Sequence, residues 1–316
     1  MTGGIRAPLE RAVADGRVRA LVPLAPLTTF RVGGAADWLV EPANAAELVA
    51  VVREAGRLGE PVTMLGGGSN VLVSDAGVRG IVIRYASRQI ALDEHHTVRA
   101  DAGTTINGLV RWTVARGLGG LERWAGTPGT VGGAISGNAH FQGELIGSRV
   151  RWVTLVTTAG ALERVPAGEM GFGYDDCRVQ QTAEIVVSAG FIVEPGSPEA
   201  LRATARQSLA FRKATQPLSV PSAGCAFRNP DPAIDPVPPG LPSSAGALID
   251  AAGLKDLRIG GATVSRVHAN FVVTDRSATA CDVRRVIEAC RRAVAERFGV
   301  TLREELVYLG DFSECP

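Results

Sequence analysis

Glycine is concentrated in two stretches of this chain. Glycines account for 38 of the 316 residues, roughly one in eight where about one in fourteen is usual. Three are consecutive at Gly66–Gly68, and twelve lie between Gly103 and Gly147. The glycines have no fixed period, which excludes a collagen-like fibre. Clusters of this kind indicate backbone that approaches a ligand closely, or that turns where a side chain would clash.

The remaining composition narrows the class of protein. The length suggests two domains. The 33 Lys and Arg residues against 32 Asp and Glu give a charge of +1, which argues against a protein that coats nucleic acid or an anionic membrane. No apolar run approaches the ~20 residues of a membrane-spanning helix, and the polar N-terminus does not resemble a signal peptide. Five cysteines without a CxxC pair and four scattered histidines predict a cytoplasmic protein with reduced thiols, no disulfide framework and no metal site.

Helical and strand patterns alternate along most of the chain. Asn44, Thr105 and Thr279 stand where they can cap amphipathic helices, the last with Asp282 in a capping box. Six prolines within 230–244 predict an irregular loop. Further helices are expected from Ser197 toward Phe211 and at Ala245–Ala252. Strands are expected at Val62–Leu65, Ile81–Arg84, Val150–Thr158, Glu184–Glu194, Ala262–Thr274 and Leu306–Leu309.

The two glycine clusters do not match the common nucleotide-binding motifs. Neither lysine of the chain follows a GxxxxGK[ST] loop, and neither Gly66–Val71 nor Gly126–Gly132 fits GxGxxG. The segment GGGSN, between two expected strands, instead offers consecutive backbone N–H groups that can hold a pyrophosphate without lysine. Either loop alone is explained equally well as a tight structural turn. Two such loops about 60 residues apart favour one long ligand.

Six segments occur in the order typical of a known enzyme family. They are TTFRVGG (28–34), GGGSN (66–70), AGTPGTVGGA (125–134), SAGCAFRNP (222–230), AGLKDLRIGGATVSRVHANFVV (252–273) and LREELVYLG (302–310). Together they resemble the UDP-N-acetylenolpyruvoylglucosamine reductases, flavoenzymes of peptidoglycan precursor synthesis, in their shorter class. The resemblance implies an α+β fold like that of the vanillyl-alcohol oxidase flavoproteins. It also implies FAD-binding subdomain 1 at 1–87, rejoined by 306–316, subdomain 2 at 88–205, and a substrate-binding domain at 206–305.

The resemblance assigns FAD to the two glycine loops. The residues implied are Gly66, Gly67, Gly68, Ser69, Asn70, Gly126, Thr127, Pro128, Gly129, Thr130, Gly132, Gly133 and Ala134. Many oxidases of this superfamily attach flavin through a histidine in the first loop. That loop contains no histidine here, so we expect non-covalent FAD. The reductant implied is NADPH, and the substrate implied is UDP-N-acetylglucosamine enolpyruvate.

The implied reaction needs a positioned proton donor. Hydride passes from flavin N5 to the β-carbon of the enolpyruvyl ether, and a general acid protonates the α-carbon. The serine of the family's GSxFKNP motif corresponds to Cys225 in GCAFRNP, and a thiol with a pKa of about 8.5 can also donate a proton. The second acid of the family corresponds to Glu305 rather than Glu304. The alternatives are an inert buried cysteine and two solvated carboxylates.

Other residues of the motifs are implied to bind the substrate. Arg228 stands where the family often has lysine, which keeps the charge but changes its geometry, and Asn229 would hydrogen-bond the sugar nucleotide. His268, in VHANF, is expected to be structural rather than catalytic.

One motif departs from the family. FGYRxS becomes FGYDDC here, so that Tyr174 is followed by Asp175 in place of an arginine that would face the substrate carboxylate. An aspartate would repel that anion unless it points away. Arg178 and Arg212 are both candidates for the missing cation, and the sequence does not choose between them.

Two other functions are compatible with the same motifs. An FAD-linked oxidase of the same fold explains the glycine loops but not GCAFRNP together with HANF and Glu305. A non-catalytic flavin-binding homologue is favoured only by Asp175. In every case we expect a monomer or weak oligomer that binds neither nucleic acid nor membrane.

Overall fold

The structure is a computed structural model that describes residues 3–13, 16–93 and 95–315. Its helices are α1 (Gly3–Ala12), α2 (Ala45–Leu58), α3 (Ile106–Ala115), α4 (Val131–Ser136), α5 (Val179–Thr182), α6 (Pro198–Thr215), α7 (Ala245–Ala251) and α8 (Ala280–Phe298). Its strands are β1 (Val18–Pro23), β2 (Ala35–Val40), β3 (Val62–Met64), β4 (Val71–Val73), β5 (Val78–Ile83), β6 (Ile90–Asp93), β7 (Thr97–Asp101), β8 (Leu118–Gly119), β9 (His140–Phe141), β10 (Glu144–Leu145), β11 (Val150–Val156), β12 (Leu162–Pro166), β13 (Ile185–Ile192), β14 (Glu194–Pro195), β15 (Arg258–Ile259), β16 (Ala262–Val264), β17 (Val272–Thr274) and β18 (Val307–Leu309). Short 3₁₀ turns lie at Ala25–Leu27, Glu122–Trp124, Ile146–Arg149 and Ala167–Glu169.

The described residues form two compact units. The larger unit falls within 1–22, 37–67 and 79–211, and the smaller within 23–36, 68–78 and 212–316. The predicted division into 1–87, 88–205 and 206–305 is finer than these two units and stays a prediction. The mixture of helices with mostly antiparallel strand pairs is α+β, as the sequence predicts.

Two sheets and the helices packed on them build the larger unit. The first sheet has strand order β1-β2-β5-β3, and the second is antiparallel with order β12-β11-β13-β7-β6. Helix α2 begins where the Asn44 side chain accepts the Glu47 amide N–H at 3.0 Å and ends at Gly59, whose φ is +68°. Its apolar face, which includes Leu48 and Val51, is buried in a core shared with both sheets. Both helix ends confirm the sequence prediction, because capping is a local interaction.

The smaller unit has its own core around helix α8. Thr279 and Asp282 form the predicted capping box, and Gly299 ends the helix with φ +69°. The face that carries Val283 and Ile287 packs on the antiparallel sheet β15-β16-β17. The last strand, β18, pairs in parallel with β4. The proline-rich residues 230–244 form neither helix nor strand, as predicted.

The single strand predicted at Ala262–Thr274 is wrong. The chain forms β16, turns, and returns antiparallel as β17, with Val264 opposite Val272. The Ser265 hydroxyl accepts the amide N–H groups of Val267 and His268 at 3.1 and 3.4 Å, which closes the turn. The turn contains polar residues, Ser265, Arg266, His268 and Asn270, but neither glycine nor proline, so it lacks the strongest sequence signals of a turn.

The prediction that no cysteines are paired is also wrong. Cys281, in the first turn of α8, and Cys315, near the C-terminus, form a disulfide. The Asp75 carboxylate lies within 4.8 Å of both sulfurs, but its two oxygens accept the amide N–H groups of Ala280 and Cys281. This group of side chains therefore joins three separate segments of the smaller unit.

Loss of the Thr279 cap is expected to destabilise the smaller unit. Thr279→Ala removes the hydroxyl that accepts the Asp282 amide N–H, which costs about 1 kcal/mol in the free energy of unfolding. In thermal unfolding we expect a decrease in Tm of about 2 °C. Thr301→Ala, at an exposed position outside any helix or strand, is the control. Equal Tm values for the two variants would contradict the assigned cap.

Candidate active site

The two glycine loops touch within the larger unit. A Cβ atom on Gly67 would lie 2.6 Å from the Gly129 Cα, and one on Gly66 would lie 2.8 Å from the Thr130 Oγ1. Real Cβ atoms do not approach backbone so closely. Only glycine at these positions therefore allows the first loop to lie on the second.

The second loop is held in place by helix α3. The Asn107 side chain accepts the Gly126 amide N–H at 2.7 Å and donates to the Thr127 carbonyl at 3.1 Å. The Gly129 carbonyl accepts the Ile106 amide N–H at 3.1 Å. Gly126 and Gly129 have φ values of +84° and +97°, a region that favours glycine. The loop thus has one backbone path, fixed at both ends.

The segment after the second loop packs closely on a neighbouring strand end. Thr130 caps α4, and its hydroxyl accepts the Gly133 amide N–H at 3.4 Å. A Cβ on Gly132 would lie 3.0 Å from the Ala102 Cβ, and the Gly132 amide donates to the Ala102 carbonyl at 2.9 Å. Ala134 is buried, whereas Pro128 is exposed. The second loop is therefore followed by a closely packed segment, Gly132, Gly133 and Ala134, which supports it.

The remainder of the first loop lies in the smaller unit. Gly68 has φ +64°, and its missing side chain leaves room for the Leu27 carbonyl, 2.2 Å from where a Cβ would be. The Asn70 side-chain amide donates to the Glu305 carbonyl at 3.1 Å, and the Asn70 carbonyl accepts the Val307 amide N–H. Asn70 thus uses one of its two side-chain amide hydrogens on the segment that precedes β18 and carries Glu305. Ser69 lies between these two anchored residues.

The loops of the larger unit fit an anionic, extended cofactor. Within the described chain, the amide N–H groups of Gly66, Gly67 and Gly129 donate no hydrogen bond, so they can receive phosphate oxygens. Two buried polar atoms in the segments beside the second loop, Thr104 Oγ1 and Trp124 Nε1, also have no hydrogen-bond partner among the described residues. Buried polar groups are nearly always hydrogen-bonded in a finished site. The donors present therefore suit FAD without a lysine.

The loop with Asp175 is tied to the rest of the larger unit by a buried asparagine. Asn138 donates from its side chain to the Gly173 carbonyl at 2.6 Å and accepts the Gly147 amide N–H at 2.9 Å. Tyr174 projects with 41% of its surface exposed, and its ring lies 4.8 Å from the His140 ring. The loop therefore presents an aromatic side chain on a fixed backbone.

Asp175 lies against a histidine rather than in solvent. It is 6% exposed, with φ +51°, and its Oδ1 lies 3.1 Å from the His140 Nδ1. An aspartate in this left-handed conformation is tolerated better than most residues. The carboxylate that stands in place of the family's arginine is thus directed toward the His140 ring.

Arg178 forms a salt bridge within the larger unit. Its guanidinium donates two hydrogen bonds of 2.8 Å to the Glu184 carboxylate. These side-chain bonds raise the pKa of Arg178 and lower the pKa of Glu184. A paired fork of this kind is the strongest geometry an arginine makes with a carboxylate. Arg178, one of the two candidate cations, therefore already forms an ion pair with Glu184.

Cys225 lies on an extended segment in the smaller unit. It is bridged to Phe271, and the next amide, of Ala226, donates to the Asn270 carbonyl at 2.7 Å. The Ala226 carbonyl accepts the amide N–H of Glu305 at 2.9 Å. Cys225 and Glu305, the two predicted acids, are therefore linked by a single hydrogen bond, from the Glu305 amide to the residue that follows Cys225.

The structure distinguishes the two adjacent glutamates. The Glu304 carboxylate accepts a hydrogen bond of 3.0 Å from Arg291, and Phe227 is bridged to Glu304 through the backbone. Burial and the Glu304 carboxylate raise the pKa of Tyr308 on the next strand. Glu304 is thus part of a structural ion pair, and the side chains of successive residues on an extended segment point to opposite faces. Glu305 accordingly points away from that pair.

Arg212 is a buried cation beside Cys225. It is 6% exposed, and burial lowers its pKa to about 10, an effect that the negative form of Cys225 partly opposes. A pKa of about 10 still leaves the guanidinium charged at neutral pH. A cation near a thiol stabilises the thiolate that remains after proton donation.

Arg228 and Asn229 continue the Cys225 segment. The Arg228 amide donates to the Arg303 carbonyl at 2.8 Å, which extends the pairing with the Glu305 segment. The Asn229 side-chain oxygen accepts the Ala245 amide N–H at 3.1 Å, at the start of α7. Both residues are held by their backbone or side chain within the smaller unit.

The sequence missed three buried or half-buried asparagines that organise these segments. They are Asn107, Asn138 and Asn270, each of which uses its side-chain amide to bond backbone groups of a distant segment. No periodic pattern marks such a residue, because an isolated polar side chain within a helix or loop is usually solvated. An asparagine beside an expected functional loop was the one available signal.

Acidification is expected to destabilise the smaller unit partly through His268. Burial, with a smaller effect of Lys255, lowers the pKa of His268 below its ordinary value of 6.5, and the neutral ring accepts the Asn270 amide N–H at 3.3 Å. Below pH 6.5 the unfolded chain therefore binds a proton that the folded chain does not, so stability is lost as the pH falls toward the folded pKa. Between pH 6.5 and 5, His268→Gln is expected to show a smaller decrease in Tm than the parent.

The control for this measurement is His96→Gln, at an exposed position. It should follow the parent through the same pH range. If His268→Gln and the parent lose stability in parallel, His268 makes no contribution.

The comparisons with known proteins first define a class. Residues 36–166 match the model of an FAD binding domain. A single-site variant of berberine bridge enzyme has the same fold over 61% of this chain and 44% of its own, with a TM-score of 0.51 and 17% identity. The chain is an FAD-dependent oxidoreductase with a vanillyl-alcohol-oxidase-like fold. Among the described residues, the structure contains no helix with the length and hydrophobicity to cross a membrane.

Closer relatives identify the family. Residues 216–309 match the model of the UDP-N-acetylenolpyruvoylglucosamine reductase C-terminal domain. The chain is 42% identical to UDP-N-acetylenolpyruvoylglucosamine reductase 2 of Symbiobacterium thermophilum, over 93% of each chain, and 39% identical to the reductase of Heliobacterium modesticaldum, over 92% of this chain and 90% of that one. The reductase structure from Thermus caldophilus has a TM-score of 0.77 at 33% identity, over 93% of this chain and 99% of its own. The chain belongs to the UDP-N-acetylenolpyruvoylglucosamine reductase family.

Proposed function

We propose that the chain uses NADPH to reduce UDP-N-acetylglucosamine enolpyruvate to UDP-N-acetylmuramate, a step of peptidoglycan precursor synthesis. The observation that carries the proposal is the peptide that joins Cys225 and Glu305 through Ala226. This peptide would hold the Cys225 thiol and the Glu305 carboxyl group at a fixed separation. The buried Arg212 guanidinium interacts electrostatically with Cys225. We expect the enzyme to act in the cytoplasm as a monomer or weak oligomer.

Flavin binding is assigned to the two glycine loops. The amides of Gly66, Gly67 and Gly129 would hold the pyrophosphate, and the contact of Gly67 with Gly129 fixes the distance between the loops. Within the larger unit, the residues from Gly126 through Thr130 would complete the binding surface, and Gly68, Ser69 and Asn70 stay predicted contacts. When bound, FAD supplies the hydride chemistry, with NADPH as reductant and N5 as the donor to the substrate β-carbon. The first loop contains no histidine, so the cofactor is held without a covalent bond.

Protonation of the α-carbon is assigned to Cys225. The thiol gives up its proton as charge develops on that carbon, and the nearby Arg212 guanidinium stabilises the resulting thiolate. Glu305 acts as the second acid or charge stabiliser, on the segment that pairs with the Cys225 segment through the Ala226 carbonyl. This arrangement lowers the energy of the charged state without any movement of the backbone.

The substrate anions are assigned to arginines of the smaller unit. Arg212 is the preferred cation, because it is 6% exposed and interacts electrostatically with Cys225, whereas the Arg178 guanidinium is partly exposed and paired with Glu184. Arg228 and Asn229 would contact the sugar nucleotide, and Tyr174 stays a predicted contact. The Asp175 carboxylate is directed to His140, which reduces its repulsion of an anion.

Anaerobic single-turnover kinetics test the proposal. The purified protein should contain FAD and be reduced by NADPH, and addition of UDP-N-acetylglucosamine enolpyruvate should then accelerate flavin reoxidation. Absence of acceleration would exclude the reductase function. A protein that retains FAD but is not reduced by NADPH would indicate a non-catalytic flavin-binding homologue.

A further inference from the structure

The segment that carries Cys225 is held on both sides by backbone hydrogen bonds. On one side the Ala226 carbonyl accepts the Glu305 amide N–H at 2.9 Å, and Arg228 donates to the Arg303 carbonyl. On the other side the Ala226 amide donates to the Asn270 carbonyl at 2.7 Å. The segment therefore runs between the Glu305 segment and the hairpin that follows β16.

Within the bridge to Glu304, the amide and carbonyl of Phe227 itself bond a side chain, while the residues on either side of Phe227 pair with backbone. The Asn270 Oδ1 accepts the Phe227 amide N–H at 3.0 Å, and the Asn270 Nδ2 donates to the Phe227 carbonyl at 2.7 Å. Asn270 and Phe227 are 2% and 1% exposed, so water cannot replace these bonds. Both polar groups of Phe227 are thus satisfied by one planar amide, whose oxygen and nitrogen cannot exchange roles here.

The surroundings of Asn270 restrict its rotation. The Asn270 amide N–H donates to the His268 Nδ1 at 3.3 Å. A Cβ on Gly246 would lie 3.6 Å from the Asn270 Cβ and 3.1 Å from the His268 Cε1, so α7 packs directly on this pair. We call the two hydrogen bonds from the Asn270 side chain to Phe227 the Asn270 clamp.

We propose that Asn270 is a positioning residue that fixes, through the Asn270 clamp, the face from which Cys225 protonates the substrate carbon. The inference rests on the proposed function, in which Cys225 is the donor. The clamp holds the peptide after Ala226, and Ala226 in turn bonds the amide of Glu305, so one side chain sets both acids relative to each other. A displacement of about 1 Å at such a site can cost roughly 100-fold in rate.

Asn270→Asp is the sharpest variant. It keeps the size and the oxygen acceptor, but its second oxygen faces the Phe227 carbonyl and has no hydrogen to donate. We expect near-normal FAD content and reduction by NADPH, and reoxidation by UDP-N-acetylglucosamine enolpyruvate slowed roughly 10- to 100-fold. Asn270→Ser, which restores one hydroxyl donor, should fall between Asp and the parent. If the Asp variant does not retain FAD, the reoxidation rate of the Ser variant is compared with that of the parent instead.

Product stereochemistry separates positioning from general destabilisation. With turnover in D₂O, the parent should place deuterium at the α-carbon in one configuration, and the Asn270 variants should yield a measurable fraction of the epimer. The matched control is Thr274→Val, in the same unit, which loses a buried hydrogen bond of 2.6 Å to the Phe30 carbonyl. It should lose stability but keep the reoxidation rate and a single configuration.

The possible results separate a failure of the positioning role of Asn270 from a failure of the proposed function. If Cys225→Ala is impaired while both Asn270 variants keep the parent rate and configuration, the positioning role is wrong and the proposed function stands. If Cys225→Ala reoxidises normally, the assigned donor is wrong, and the positioning role fails with it. If Thr274→Val also yields the epimer, general loosening explains the result and the inference is overturned.

Discussion

Cys225→Ala is expected to slow substrate-dependent flavin reoxidation by roughly 10²- to 10⁴-fold, the usual contribution of a general acid. Reduction by NADPH should be unchanged, because the thiol is assigned only to protonation of the α-carbon. Anaerobic stopped-flow absorbance measures both half-reactions on one sample. Cys225→Ser should keep much of the activity, because a hydroxyl in the same place can donate a proton, as it does in the family.

The matched control is a second cysteine of the smaller unit. Cys290 is 1% exposed in α8, and burial raises its pKa to about 12. Cys290→Ala should lower Tm through the lost packing but leave both half-reactions intact. Normal reoxidation in Cys225→Ala would show that another group donates the proton, and Glu305→Gln would then be the next variant to measure.

Gly67→Ala is expected to weaken FAD binding roughly 10- to 100-fold. The new Cβ would lie 2.6 Å from the Gly129 Cα, and Gly129 cannot retreat easily because its carbonyl accepts the Ile106 amide N–H. Overpacking of this kind costs about 1–3 kcal/mol. The loops would separate and the distance between their amide donors would change. Equilibrium titration of FAD into the apoprotein, followed by flavin fluorescence, measures the loss.

Gly56→Ala is the control for adding a methyl group to a glycine of the same unit. Gly56 lies in α2, where an added methyl group would meet no described side chain and no backbone beyond its own helix turns within 4 Å. Alanine there should stabilise the helix by about 1 kcal/mol and leave FAD affinity unchanged. If Gly67→Ala binds FAD as tightly as Gly56→Ala does, contact between the two loops does not determine FAD affinity.

Local interactions are the part of the fold that could be predicted. The caps at Asn44, Thr105 and Thr279 are each confirmed by a side-chain bond to an amide three residues ahead. Such bonds, like the apolar spacing of a helix, depend on residues within one or two turns. The hairpin of β16 and β17 is not predicted although its closing serine is also local, because the turn between the strands contains neither glycine nor proline.

Partners that are distant in sequence account for most of what was missed. Cys281 bonds Cys315, 34 positions along the chain, and spacing does not indicate this pairing. Even the Arg178–Glu184 pair, only six positions apart, does not follow from spacing alone. The sequence also left Arg178 and Arg212 equal as cations. Burial and the position of Cys225 distinguish them, and both are properties of the folded chain.

The sequence alone predicts five helices, α2, α3, α6, α7 and α8, and it indicates the two glycine loops and the family, because motifs in a fixed order are visible in the linear chain. It also marked Cys225 and Glu305 as candidate acids. Three contacts are visible only in the folded chain: Gly67 on Gly129, the Glu305 amide on the Ala226 carbonyl beside Cys225, and the Asn270 side chain on Phe227. The physical reason is that a buried polar group must find its partner wherever the fold places one, and in this chain those partners lie 40 to 80 residues away.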